Sequence, residues 1–166
     1  MDKFTSFMKV LGALEKKGVE YILVGGVAVV LQGLPRTTED VDIFVKPEQA
    51  NIERLREALM SVYNDTCIGE ITLSELERYP VIRYGTPDGF CLDILARLGE
   101  AVAFDDLDME VVEVHDVNVR VATPETLYRL KKDTVRPKDR QDALFLRKLI
   151  GQRSLKKEAC DGDSSQ

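Results

Sequence analysis

The chain has one histidine, three cysteines, and few aromatic side chains, 7% of its 166 residues. Nothing in it resembles a Ser-His-Asp or Cys-His arrangement, so nucleophilic hydrolysis finds no support. His115, the sole histidine, sits beside Asp116 between two strand-like segments and reads as a turn residue. Cys67, Cys91 and Cys160 are odd in number and share no metal-like spacing, which fits a reducing compartment rather than a disulfide framework. Long apolar runs are also missing. The longest, Tyr21 to Leu31, falls well short of the roughly 20 residues a bilayer span requires, so no membrane partner is expected. Lys9, Glu15, Lys16 and Lys17 interrupt the apolar content of the N-terminus, so no signal peptide is read there. The expected location is the cytoplasm. Internal repeats and low-complexity linkers are absent too, so one domain is expected over residues 1–151, with a polar, disordered tail over residues 152–166.

What the chain does have is charge, unevenly placed. The formal net charge is −6. From Glu39 to Asp116 there are 19 acidic and 6 basic residues, whereas from Pro124 to Lys157 there are 11 basic and 4 acidic. Solvated helix faces would produce such a pattern. So would an acidic half that holds metal and a basic half that holds a triphosphate or a polyanionic acceptor.

The most informative stretch runs from Val24-Gly25-Gly26 through thirteen residues to Asp40-Val41-Asp42-Ile43. Two glycines close the apolar strand Tyr21–Val24 and open a short helical segment, Val27 to Leu31. A glycine turn feeding a helix start offers bare N–H groups to a phosphate, although a plain strand-ending turn would use the same residues. Asp40 and Asp42 alternate with Val41 and Ile43, so both carboxylates leave one face of a strand. They then lie about 7 Å apart along it, and repel unless a cation sits between them. Hard divalent ions answer that need, Mg²⁺ first and Mn²⁺ as the alternative. A third acid, Asp93, is an isolated charge in the strand-like run Phe90-Cys91-Leu92-Asp93-Ile94-Leu95. A lone buried carboxylate needs a cation or donors.

Periodicity and turn signals supply the rest. Asp2 to Lys17 places Phe4, Phe7, Leu11 and Leu14 on one helical face, and Gly18 stops it. Glu20–Val24 and Val41–Lys46 read as strands. Pro47 is expected to begin a helix to about Val62, with Ile52, Leu55 and Leu59 inward. Val81–Tyr84 and Phe90–Leu95 flank the turn Gly85-Thr86-Pro87-Asp88-Gly89 and should form a hairpin. Glu110–Val114 and Val117–Ala122 should form another. Thr123-Pro124-Glu125 opens a helix to about Thr134, and Asp139 is expected to cap a last helix to Ile150. The fold class is α/β (α+β by connectivity), with a mixed sheet of about five strands, helices on one face and a C-terminal helical pair.

The Gly-Gly turn followed by Asp-x-Asp, with the later Asp93, resembles the nucleotidyltransferase superfamily, which includes polymerase-beta-like enzymes. The C-terminal third narrows this. Thr123-Pro124-Glu125, Leu130-Lys131 and Arg136-Pro137-Lys138-Asp139-Arg140-Gln141-Asp142 resemble the minimal AbiEii/MenA type, and Arg36-Thr37-Thr38-Glu39-Asp40 fits that family's Arg-x-Thr-x-Asp element. The resemblance spans about Val19 to Leu149. It implies a nucleotidyltransferase fold and a metal-dependent transfer of NMP from an NTP to an acceptor hydroxyl. Asp40, Asp42 and Asp93 would be catalytic and metal-binding. Gly25, Gly26, Arg36, Thr38, Lys131, Asp139 and Asp142 would form the nucleotide site, with Lys131 on the phosphates and no assigned chemistry for the last two aspartates. An RNA 3′ end, tRNA above all, is the favoured acceptor, and a partner antitoxin is expected. The alternatives are transfer to an antibiotic or a protein, and a non-catalytic nucleotide-binding module of the same fold.

Overall fold

Side-chain caps mark where the chain leaves extended backbone for helix. The structure is a computed structural model, and it describes residues 2–38, 40–132 and 137–163, the last three by backbone only. Asp2 accepts from the Thr5 N–H at 2.7 Å and starts α1 (Lys3–Lys16); Gly18, at φ +69°, turns the chain out of it. β1 (Tyr21–Val24) runs directly into α2 (Gly25–Leu31), and β2 (Asp40–Val45) precedes α3 (Gln49–Tyr63). Asn64 closes α3 in the left-handed conformation, a role that asparagine tolerates. A 3₁₀ turn (Thr66–Glu70) and α4 (Leu73–Arg78), capped by Thr72, lead to β3 (Val81–Gly85) and β4 (Cys91–Leu95). A small ribbon of β5 (Arg97–Leu98) and β6 (Val102–Ala103) and a 3₁₀ turn (Phe104–Asp106) come next. β7 (Met109–Val114), β8 (Val117–Ala122), α5 (Pro124–Lys131) and α6 (Pro137–Asp163) complete the order.

The main sheet has six strands in the order β3-β4-β2-β1-β8-β7, one more than the sequence suggests. It is mixed. β4 and β2 run parallel, as do β1 and β8, while β3–β4, β2–β1 and β8–β7 are antiparallel. Both hairpins form as expected. In the second, His115 and Asp116 both take positive φ, 48° and 64°, the requirement of a two-residue type I′ loop.

The core gathers the alternating apolar residues of β1, β2, β4 and β8 with the inner faces of α1 and α3. Leu11, Leu14, Ile43, Ile52, Leu55, Leu59 and Val121 are all fully buried. Asn51, buried in α3, accepts from the Glu20 N–H at 2.7 Å and donates to the carbonyls of Glu20 and Lys46, tying the helix to the ends of β1 and β2. Between β1 and β8 the ladder is short. Leu23 opposite Val121 is its registered pair, reinforced where the Arg120 N–H donates to the Tyr21 hydroxyl at 3.2 Å. Gln32, just past α2, donates to the Ala122 carbonyl at 3.1 Å and to Glu110 at 2.8 Å.

Several boundaries differ from expectation. α3 begins at Gln49, not at Pro47, because Glu48 takes the extended cap position. Phe4 stays partly exposed and meets the His115 ring edge-on, since α1 is too near its end there to reach the core. α5 ends at Lys131, and the expected terminus at Thr134 lies outside the described residues, as does Arg136. α6 starts at Pro137, so Asp139 lies inside its first turn rather than capping it. The segment from Gln152, expected to be disordered, continues α6 to Asp163 with residues 151–160 exposed. Arg153 gives that extension its anchor, donating to both Glu110 oxygens and to Gln32 at 3.1 Å. Among the described residues no helix is long and apolar enough to cross a membrane.

An exposed ion pair contributes little. Truncation after Gly151 should therefore lower stability in urea unfolding by about 1 kcal/mol or less.

Candidate active site

Strand register brings the acids together. β2 pairs with β4 so that Asp42 stands opposite Asp93, and Asp40 opposite Cys91. Because side chains alternate along a strand, Asp40, Asp42 and Asp93 share one face. β1 ends at Val24, opposite Asp42, which delivers the Gly25-Gly26 turn to the same place. Gly25 has φ +71°, and an added Cβ there would overlap the Asp42 carboxylate. A Cβ on Gly26 would instead overlap the Arg36 guanidinium and crowd the Thr38 hydroxyl. Thr38 donates to the Asp40 carbonyl at 3.1 Å and so fixes the entry into β2.

These groups open onto a cleft of about 690 Å³. Gly25, Gly26, Arg36, Thr38, Asp40, Asp42, Lys131 and Asp139 line it, together with Thr37, Pro137 and Lys138. Asp93 lies behind Asp42 on the next strand, and Asp142 behind Lys131. All ten residues expected of the site are therefore in it or directly against it.

The basic wall is internally compensated. Lys131, nearly buried, donates to Asp142 at 2.8 Å and to Asp139 at 3.1 Å. Arg36 Nε lies 3.4 Å from the other oxygen of Asp142, an ion pair whose geometry leaves both atoms without a hydrogen bond. This gives Asp139 and Asp142 a physical role that their spacing did not reveal. They hold two cationic side chains at the cleft, where a buried lysine alone would be costly.

The acidic wall is compensated as well, by a residue that sequence reasoning missed. Arg83 on β3 stands opposite Asp93 and grips it with two parallel bonds, Nε to Oδ1 at 2.9 Å and Nη2 to Oδ2 at 3.0 Å. The same Nη2 lies 3.6 Å from Asp40 Oδ2. The signal was available in the hairpin. Pairing Gly85 with Cys91 across the predicted turn places Arg83 opposite Asp93.

Asp42 shows the strain of the arrangement. Burial, then the charge of Asp93 and a hydrogen bond with it, then Asp40, push its carboxyl up to about 6, with Lys131 opposing. The donor set, hard carboxylate oxygens of Asp40, Asp42 and Asp93 on adjacent strands, fits a divalent cation chemically. Among the described residues, however, no three His, Cys, Asp or Glu side chains are arranged to hold a metal ion, and both Asp93 oxygens are engaged by Arg83.

A glycine turn and paired acids on this mixed sheet define the nucleotidyltransferase fold, and solved structures of that class superpose on the chain. The lincosamide antibiotic adenylyltransferase LnuA, lincomycin-bound, matches with a TM-score of 0.61 at 16% identity, over 87% of this chain and 96% of that one. ANT(2″)-Ia in complex with adenylyl-2″-tobramycin gives 0.54 at 14%, over 97% of each chain. An antigenic nucleotidyltransferase-like protein from Paracoccidioides brasiliensis gives 0.55 at 18%, over 89% of this chain and 75% of its own. Identities this low speak for the fold alone. No curated protein matches the sequence. Residues 9–143 match the family described as nucleotidyl transferase AbiEii toxin, type IV TA system, and the chain belongs to that family.

Two outcomes test the geometry. A carboxyl whose folded-state affinity for a proton exceeds its unfolded value stabilises the fold fully below the unfolded pKa and loses that contribution as pH rises through the folded one. For Asp42 the loss runs from about 3.8 to about 6. Asp42→Asn should therefore gain stability relative to the unsubstituted protein as pH rises across that window, read as the difference between their urea midpoints.

The glycines should separate as well. Gly25→Ala must place a side chain at positive φ and displace Asp42, and should cost about 1–2 kcal/mol from the backbone alone. Gly26→Ala keeps an ordinary backbone conformation and meets the far end of the Arg36 side chain and, less closely, the Thr38 hydroxyl, so it should cost less stability than Gly25→Ala.

Proposed function

We propose that the cleft takes the triphosphate of an NTP and that the chain moves NMP to an acceptor hydroxyl with release of pyrophosphate. The observation that carries this reading is the convergence of Gly25, Gly26 and Arg36 with Asp40 and Asp42 on one cleft, with Asp93 in register behind. Gly25 and Gly26 admit phosphate oxygens to the backbone N–H groups at the start of α2. Arg36 and Lys131 supply positive charge to the phosphates from the opposite wall. Asp40, Asp42 and Asp93 are the residues that would hold Mg²⁺, or Mn²⁺. When bound, the cation neutralises charge on the phosphate oxygens and orients them for in-line displacement. Asp93, behind the other two, would accept the proton of the attacking hydroxyl.

An RNA 3′ end, with tRNA foremost, is the acceptor we propose. The basic stretch from Pro124 to Lys157 supports a polyanionic partner, and membership of a family of toxins supports action on a cellular target under the control of a cognate antitoxin. The cytoplasm, where such targets lie, is part of the same proposal. A second reading is transfer to a small hydroxylated antibiotic, favoured by the fold shared with LnuA and ANT(2″)-Ia.

Incubation with each α-labelled NTP, Mg²⁺, and either total RNA or a panel of lincosamides and aminoglycosides separates the two. Label in the RNA fraction supports the first, and label on a drug the second. Absence of transfer to either, with NTP binding retained, would point to a non-catalytic module. Asp93→Asn should retain NTP binding and lose transfer by a factor on the order of 10² or more, because its contribution is made at the attacking hydroxyl. Wild-type turnover by this variant would remove Asp93 from the chemistry.

A further inference from the structure

Arg83 has an arrangement that a structural ion pair does not need. Three strands align Arg83, Asp93 and Asp42 in one row, through the registers of β3 with β4 and of β4 with β2. Asp40 lies one step along the same face. From the edge of the sheet, the Arg83 side chain reaches Asp93 with both prongs and approaches Asp40 with one. A single guanidinium thus bridges two of the three carboxylates.

The burial of the pair is lopsided. The Asp93 side chain is 10% exposed and the Arg83 side chain 61%. A carboxylate so enclosed cannot be left without a partner, because its hydration is already lost. A guanidinium so exposed regains water as soon as it lets go. The pair is therefore replaceable in one direction only. Arg83 can depart, provided that another cation reaches Asp93.

We propose that Arg83 is the internal counter-ion of the carboxylate trio, holding Asp93 and Asp40 in the ligand-free protein and competing with the divalent cation for them. The inference rests on the reading of these acids as metal ligands. Arg83 acts through Asp93 and is a positioning residue. It sets how tightly metal binds before nucleotide arrives, and keeps the acids paired when metal is scarce. The arrangement of the site agrees, since Arg83 holds both oxygens of Asp93, the atoms a divalent cation would need.

The test is a Mn²⁺ titration at fixed ionic strength, with free ion followed by electron paramagnetic resonance. It compares the unsubstituted protein, Arg83→Gln, Arg83→Lys, Asp93→Asn, and Arg83→Gln combined with Asp93→Asn. Removing a positive charge a few ångströms from the ion should tighten Mn²⁺ binding by on the order of tenfold in Arg83→Gln. Arg83→Lys keeps the charge but not the fork, and should fall between. In the Asp93→Asn background most of the gain should vanish, since the competition is for that carboxylate. Thermal unfolding gives a second readout: Mn²⁺ should raise the midpoint more in Arg83→Gln than in the unsubstituted protein.

Unchanged or weaker Mn²⁺ binding in Arg83→Gln, with binding intact in the unsubstituted protein, would overturn the role of Arg83 and leave the metal reading standing. Failure of every form to bind Mn²⁺, with or without a non-hydrolysable NTP, would overturn both.

Discussion

Two carboxylates on neighbouring strands repel unless a cation neutralises them, and the parallel pairing of β2 with β4 imposes that situation by setting Asp42 opposite Asp93. Much of the site can be understood as a response. Gly25 carries no side chain because Asp42 fills the space a Cβ would need. Asp42 holds its proton more tightly than an ordinary aspartate. Arg83 leans across from the sheet edge to neutralise its neighbour. A fold that placed these acids on separate faces would need none of these features.

The two walls of the cleft solve the same problem with opposite signs. On one, an arginine serves two carboxylates; on the other, two carboxylates serve a lysine and an arginine. Part of the charge on each wall is thus met within that wall, while Lys131 eases the charge on Asp42 from across the cleft. The two balances differ in depth. Lys131, Asp139 and Asp142 are enclosed, so their arrangement is a fixed part of the structure, while the head of Arg83 faces water.

Local signals made most of this legible in the sequence. Asp40 and Asp42 alternate with valine and isoleucine, which is enough to set them on one face. Gly25 and Gly26 follow an apolar strand, and the turn Gly85–Gly89 fixes a hairpin. What stayed hidden depends on contacts between segments distant in the chain. Arg83 looks like an ordinary surface residue until strand register sets it against Asp93. Asp139 reads as a helix cap because that is the common local use of aspartate, and only the packing of α5 on α6 reveals Lys131 as a partner of Asp139 and Asp142. The helical continuation past Gly151 has no apolar face to announce it, and residues 152–160 are exposed.

The short seam between β1 and β8 gives the sheet a mechanical character. On one side lie the strands that carry the acids, and on the other the β7–β8 hairpin, from which the chain passes directly into α5 and Lys131. The ladder that joins them has Leu23–Val121 as its registered pair, against the four- and five-pair ladders of the strands around the acids. The Tyr21 hydroxyl and the Gln32 amide add side-chain bonds to β8 beside this seam. Apolar side chains of β1, β2, β4 and β8 meet in one core. The acids and the lysine are therefore held in one piece less by backbone bonds between their strands than by the side chains packed against the sheet.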